Sequence, residues 1–162
     1  RLAIPMLYAN KGEEAAYQFR EGLKYREFPW LHRLLAQAEY MAGNRDEAIK
    51  EARIAEQQQA AAGRGADPLT AYTYSLLGLQ DDANRLMSEI EERVAQGKFI
   101  TPVSWTWANL AVGNYDKAHE ILAPNVNKGV VQLQYIKGNF MRDPALEVPR
   151  FAELRNQIGS LN

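Results

Sequence analysis

The chain has 162 residues, 46% hydrophobic and 24% charged, a balance that is ordinary for a folded globular protein and excludes intrinsic disorder. Its 19 basic and 20 acidic residues give a net charge of −1, which excludes the basic character typical of a nucleic-acid-binding domain. The absence of cysteine excludes disulfides and thiolate metal sites. No apolar run reaches membrane-spanning length, so we expect no membrane insertion by this segment.

A short motif recurs along the chain at a nearly constant interval. Gly43, Gly78 and Gly113 lie 35 residues apart, and each ends a stretch of apolar residues at helical spacing. Asn10 occupies the same place in a weaker first copy. Glycine, and next to it asparagine, adopts the left-handed conformation that ends many helices. The motif predicts paired helices with turns at Asn10–Glu13, Gly43–Asp46, Gly78–Asp81 and Gly113–Asp116.

Aspartate follows each of these glycines by three residues. A carboxylate at the start of a helix accepts hydrogen bonds from free backbone N–H groups. We therefore expect capping of the second helix of each pair by Asp46, Asp81 and Asp116. Small residues recur in the same register and should let paired helices pack closely; they are Ala36, Ala48, Ala71, Ala83, Thr106 and Ala118.

Proline marks the start of the first helix in three pairs. Asp67-Pro68 and Thr101-Pro102 each combine a capping side chain with proline at the first helical position. Pro29 should begin a helix in the same way, although Phe28 before it has no capping group. The segment from residue 46 to about 62 predicts an unusually long second helix, followed by a loop at 63–65.

The interval and the turn at 113–118, Gly-Asn-Tyr-Asp-Lys-Ala, resemble the tetratricopeptide repeat over about residues 1–128. The resemblance implies an all-α fold: a right-handed superhelical array of about four helical hairpins. The repeats would span about 1–28, 29–63, 64–98 and 99–128. Asn125 stands where the family has a small residue, so we expect a distorted fourth hairpin near Pro124.

The residues after the repeats carry a second resemblance. Residues 140–146 (Phe-Met-Arg-Asp-Pro-Ala-Leu) and 149–159 resemble the closing segment of tetratricopeptide regions in bacterial class III adenylate cyclases and winged-helix transcription regulators. We expect a C-terminal cap over 129–162, with a closing helix from Arg150 to Ile158 that covers the last hairpin. The alternation in Val131–Tyr135 fits a strand or a helix, and a helix is favoured because no second strand is predicted.

The repeated helical phase predicts a concave groove lined by the first helix of each pair. By resemblance to the family, the residues that face it precede each glycine by thirteen, ten, six and three positions. The candidate binding residues are Trp30, Arg33, Gln37, Tyr40, Tyr72, Ser75, Trp107 and Leu110. Ile4, Leu7, Gly65, Pro68, Ile100 and Val103 share this phase. An aromatic groove suits an apolar peptide or helix. Alternatively, Tyr72 and Trp107 pack between neighbouring helices or against the chain's own C-terminal segment.

The sequence offers no constellation of residues for catalysis. His32 and His119 have no ligand-spaced partner, and no Gly-rich phosphate loop is present. We therefore expect no catalytic residue, no metal ion and no cofactor in this segment. Because it begins with Arg1, we expect it to be a piece of a longer protein.

The resemblance places a catalytic or DNA-binding module upstream and leaves two function classes open. The first is a protein-interaction or regulatory module of a bacterial signalling protein, adenylate cyclase-like or a winged-helix regulator. Its partner would be a protein or peptide, which includes another domain of the same chain, and not a nucleic acid. The second is a homo-oligomerisation element that forms a homodimer. We expect a cytoplasmic location, or a periplasmic one if a membrane span precedes the segment.

Overall fold

The computed structural model describes residues 3–128, 133–139 and 141–159, which form α-helices, short 3-10 turns and loops without a β-strand. The all-α expectation is thereby confirmed. The helices are α1 (Ala3–Tyr8), α2 (Gly12–Leu23), α3 (Pro29–Met41), α4 (Arg45–Ala61), α5 (Pro68–Leu76), α6 (Gln80–Ala95), α7 (Pro102–Ala111), α8 (Tyr115–Leu122), α9 (Leu133–Gly138) and α10 (Pro149–Gln157). Across these described ranges, no helix combines the length and apolar character needed to cross a membrane.

The first eight helices pack as consecutive pairs, and neighbouring pairs also contact each other. Each pair is joined by a tight turn at a predicted position. The left-handed residues have φ angles of 58° at Asn10, 83° at Gly43, 75° at Gly78 and 75° at Gly113. In the turn between α3 and α4, the N–H of Asn44 donates to the carbonyl of Glu39 at 2.9 Å. The four predicted turns are confirmed.

The expected aspartate caps are wrong. Each second helix begins two residues earlier than a cap at the aspartate requires, at Arg45, Gln80 and Tyr115. The aspartates lie second in their helices, and the residues at the capping position make no side-chain cap bond. Only one residue separates each left-handed glycine from the following helix, so no room remains for the predicted cap. Asp46, Asp81 and Asp116 instead lie in the first turn, where a negative charge interacts favourably with the helix dipole.

The caps at the proline starts are confirmed. Asp67 Oδ2 accepts a hydrogen bond from the N–H of Thr70 at 3.1 Å, and Thr101 Oγ1 accepts one from the N–H of Ser104 at 3.1 Å. Pro68 and Pro102 are the first residues of α5 and α7. Pro29 likewise begins α3, without a side-chain cap.

Small residues form the contact between paired helices, as predicted. The six residues of this set are all fully buried: Ala36, Ala48, Ala71, Ala83, Thr106 and Ala118. The polar hydroxyl of Thr106 is satisfied because it donates to the carbonyl of Pro102 at 3.0 Å. An even closer approach occurs at Gly12. A Cβ atom there would lie 2.8 Å from the backbone nitrogen of Ala42, so α2 touches the turn after α3 directly.

The fourth pair is distorted where the sequence predicts it. The helix α8 ends at Leu122 and continues as a 3-10 turn over Ala123–Asn125. The side-chain amide of Asn125 donates to the carbonyl of Ile121 at 2.6 Å and holds this turn.

Two helices follow the fourth pair. The predicted closing helix is present as α10, and the part of Val131–Tyr135 that the structure describes belongs to the helix α9. Arg1, Leu2, Val131, Gln132 and Phe140 lie outside the described residues.

Candidate interaction surface

The predicted groove residues divide into a buried group and a more exposed group. Those with almost no solvent contact are Gln37, Tyr72, Trp107 and Leu110, whereas Arg33, Tyr40 and Ser75 are partly buried. Trp30 is 45% exposed, and its ring stacks on that of Phe28 at 5.7 Å. The positions selected by the repeated helical phase therefore lie mostly in the interior of the protein. Trp30 is the most exposed of them.

Tyr72 is the centre of the buried group. Its ring contacts that of Trp107, with 4.7 Å between the ring centroids. Its hydroxyl donates to Oδ2 of Asp143, in the C-terminal segment, at 2.8 Å. Burial raises the pKa of Tyr72 well above its ordinary value, and the Asp143 carboxylate raises it further. Tyr72 is therefore a neutral hydrogen-bond donor over the physiological pH range.

The backbone around Asp143 is folded so that its carboxylate points at Tyr72. Asn139 takes a left-handed conformation with a φ of 40°, and its side-chain oxygen accepts the N–H of Asp143 at 2.9 Å. The same side chain donates to the carbonyl of Asp143 at 3.1 Å. Asp143 Oδ1 accepts the N–H of Ala145, which caps the short turn over Pro144–Leu146. Hydrogen bonds to Asn139 and Ala145 thus fix the orientation of the Asp143 carboxylate.

The helix α9 lies against the first helix pair. The rings of Tyr8 and Tyr135 are 5.6 Å apart, and a Cβ atom at Gly138 would lie 3.2 Å from the Tyr8 ring. Burial raises the pKa of Tyr135, while the nearby Arg33 guanidinium opposes this shift. The C-terminal segment therefore contacts α1 and comes close to α3 before it reaches Tyr72 on α5.

The last helix, α10, covers the fourth pair. Phe151 is fully buried and meets the His119 ring edge-on, with 5.6 Å between the centroids. Arg150 forms an ion pair with Asp116 at the start of α8. The C-terminal segment, residues 133–159, hence touches the first, third and fourth pairs.

Sequence reasoning did not select Asp143 as a site residue. The signal was available, because Asp143-Pro144 repeats the cap-and-proline pattern of Asp67-Pro68. In the structure Tyr72 contacts a neighbouring helix, through Trp107, and also the chain's own C-terminal segment, through Asp143. Peptide binding by the groove residues stays a prediction.

The more exposed groove residues line an open pocket of about 150 Å³ between α3, α4 and α5. Trp30, Arg33, Arg64 and Asp67 contribute to its walls. Arg33 Nε lies 3.1 Å from Asp67 Oδ2, as an ion pair whose N–H direction falls outside hydrogen-bond geometry. The buried Nη1 of Arg33 has no hydrogen-bond partner in the described part of the chain. Through this pocket, two of the predicted groove residues, Trp30 and Arg33, are accessible to a ligand.

The histidines have structural contacts. His32 Nδ1 lies 2.6 Å from Glu51 Oε2, and the two nearly buried side chains join α3 to α4. Within residues 3–128, 133–139 and 141–159, no group of three or more His, Cys, Asp or Glu residues is arranged to hold a metal ion.

Comparison of the chain with protein-family models, with curated proteins and with solved structures finds no match.

Proposed function

We propose that this chain is a non-catalytic interaction module, a right-handed array of tetratricopeptide-like hairpins that regulates a bacterial multidomain signalling protein. The support for the repeat assignment is the 35-residue spacing of Gly43, Gly78 and Gly113, each left-handed between two packed helices. The assignment to a signalling protein, adenylate cyclase-like or a winged-helix regulator, rests on the resemblance of the C-terminal segment. A cytoplasmic location belongs to the same proposal.

The observation that carries the interaction role is the contact of Tyr72 with Asp143. The loop residue Asp143, which caps the short 3-10 turn over Pro144–Leu146, lies on the inner residues through burial and one directional hydrogen bond to Tyr72. Both features are ones by which a helical peptide is recognised in a groove. In our proposal a partner segment with the same pattern, apolar residues around one carboxylate, takes the place of residues 133–159.

A peptide-exchange experiment tests this role. A fluorescent peptide of residues 133–159 is titrated into the intact chain and into its Asp143→Ala variant, with fluorescence anisotropy as the readout. We expect tighter binding to the variant, because its own segment has lost the bond to Tyr72 and competes less well. A peptide that itself carries Asp143→Ala is the matched control and should bind more weakly. Absence of saturable binding to both proteins would contradict the proposal.

Self-association is the second candidate, because an aromatic residue of the first helix pair faces solvent. Tyr17 is 58% exposed on α2. Sedimentation velocity over a range of protein concentrations separates the two functions. The interaction module is expected to stay monomeric at micromolar concentration, whereas a homo-oligomerisation element forms a tight homodimer.

A further inference from the structure

The loops that connect one helix pair to the next lie side by side along one edge of the molecule. They are residues 24–28, 62–67 and 96–101, and together they are called the loop edge here. The pocket of about 150 Å³ joins Trp30 to Arg64 and Asp67 of the second loop. A second pocket of about 190 Å³ joins Ala66 of that loop to Phe99 of the third. The three loops are therefore contiguous.

Large aromatic side chains are exposed along the loop edge. Tyr25 is 88% exposed in the first loop and Phe99 is 87% exposed in the third. The partly buried Phe28 ends the first loop, and its ring stacks on that of Trp30 at the start of α3. Aromatic rings are usually buried because their contact with water is unfavourable. Tyr25 and Phe99 are thus two rings almost fully in water, on separate loops of the same edge.

The loop edge is also positively charged, although the whole chain carries a net charge of −1. Its loops contain four basic side chains, at Lys24, Arg26, Arg64 and Lys98, against two acidic ones, at Glu27 and Asp67. Lys24 pairs with Glu21 and Asp67 pairs with Arg33. In the described residues, the cations Arg26, Arg64 and Lys98 and the carboxylate Glu27 of these loops remain without an ion pair.

These three cations differ from many basic residues on the helix faces. In the described residues no ion pair joins a carboxylate to Arg26, Arg64 or Lys98. On the helix faces, by contrast, ion pairs neutralise Lys50, Arg53, Arg85 and Lys117. The cations of the loop edge are thus available to an external anion.

We infer that the loop edge docks on the surface of an anionic lipid bilayer. Aromatic residues favour the headgroup region of a membrane, and lysine and arginine are attracted by acidic lipids. Tyr25 and Phe99 stand on separate loops, and a soft surface accepts several separate rings without a matching pocket for each. The contact is peripheral and reversible, and it leaves the residues around Tyr72 free for the proposed peptide role.

Vesicle binding tests the inference. The intact chain is sedimented with vesicles of phosphatidylcholine alone and with vesicles that contain 30% phosphatidylserine. We expect binding only to the anionic vesicles. Arg64→Glu with Lys98→Glu should lower the partition coefficient at least tenfold, since each basic residue near an acidic surface contributes a factor of roughly five. Tyr25→Ser with Phe99→Ser should also weaken binding several-fold.

Matched controls separate a membrane surface from nonspecific adhesion. Tyr115→Ser removes a 41% exposed aromatic ring from α8, and Lys50→Glu reverses an exposed charge on α4. Both variants should bind vesicles like the unaltered chain, and circular dichroism checks that every variant is folded. Equal binding to neutral and anionic vesicles would overturn the inference, as would equal loss in the control variants. Binding of soluble polyglutamate as tight as that of the anionic vesicles would assign the loop edge to an acidic protein and would also overturn it.

The result of the vesicle-binding experiment is independent of the result of the peptide-exchange experiment. Failure of vesicle binding leaves the exchange of residues 133–159 unaffected, because Tyr72 on α5 and Asp143 in the C-terminal segment are not part of the three loops.

Discussion

The hydroxyl of Tyr72 donates to Oδ2 of Asp143 at 2.8 Å and joins α5 to the C-terminal segment across 71 positions. Both side chains are buried. Removing the donor leaves a buried carboxylate with one fewer hydrogen bond, which costs about 1–3 kcal/mol. We expect this loss of unfolding free energy for Tyr72→Phe in urea denaturation. Tyr17→Phe, on an exposed side chain, should change it by less than about 0.5 kcal/mol.

The hydrogen bond of Tyr72 to Asp143 also predicts how the free energy of unfolding changes at alkaline pH. The folded pKa of Tyr72 is raised above its ordinary value of 10.0, mainly by burial. The unfolded chain then loses a proton that the folded chain keeps. The stabilisation is complete below pH 10 and is lost as the pH rises toward the folded pKa, by at most about 1.4 kcal/mol per pH unit.

Tyr72→Phe removes this titration. The difference in unfolding free energy between the unaltered chain and the variant should therefore narrow between pH 9 and 11. Tyr74 and Tyr135 also have raised pKa values, so both proteins lose stability, and the unaltered chain loses more. Parallel pH profiles would contradict the assignment.

The two glycines of α2 should respond in opposite directions to alanine. A Cβ atom at Gly12 would lie 2.8 Å from the backbone nitrogen of Ala42 and 2.9 Å from the backbone carbon of Met41. Since backbone cannot yield as a side chain does, Gly12→Ala should cost about 2 kcal/mol or more. At Gly22 the nearest contact is an ordinary 3.6 Å, to Leu31. Gly22→Ala should stabilise the helix by about 0.5–1 kcal/mol, as thermal unfolding will show.

Helix-start variants distinguish true caps from first-turn charges. Thr101→Ala removes the acceptor of the Ser104 N–H and should cost about 1 kcal/mol. Asp46→Ala removes only a charge near the helix dipole and should cost about 0.3–0.5 kcal/mol. The ranking is measured by urea denaturation at low salt. If Asp46→Ala were the more costly variant, the starts of the second helices would be misplaced.

The sequence allowed the helix pairs to be predicted because their signals are local. A left-handed glycine and a capping residue before proline each act within one turn, so Gly43, Gly78, Thr101 and Pro102 could be read directly. The aspartate caps failed for a local reason as well. After the turn only one residue precedes the helix, and the aspartate is already inside it.

The course of the C-terminal segment could not be predicted in the same way. Its contacts join residues far apart in sequence, such as Tyr8 with Tyr135, and no periodic pattern encodes such a pairing. The groove residues were predicted from the repeated helical phase. That phase does not reveal whether Tyr72 contacts solvent, a partner or Asp143.

The path of residues 133–159 also affects the folding of the whole chain. Successive helix pairs that touch only their neighbours form a linear array, which can fray from either end. Tyr135 holds the first pair and Phe151 holds the fourth, so the two ends are linked through one segment. We expect hydrogen exchange to show α1 and α8 opening together. This closure requires distant contacts, so it favours slower, more cooperative folding than an open array of the same helices.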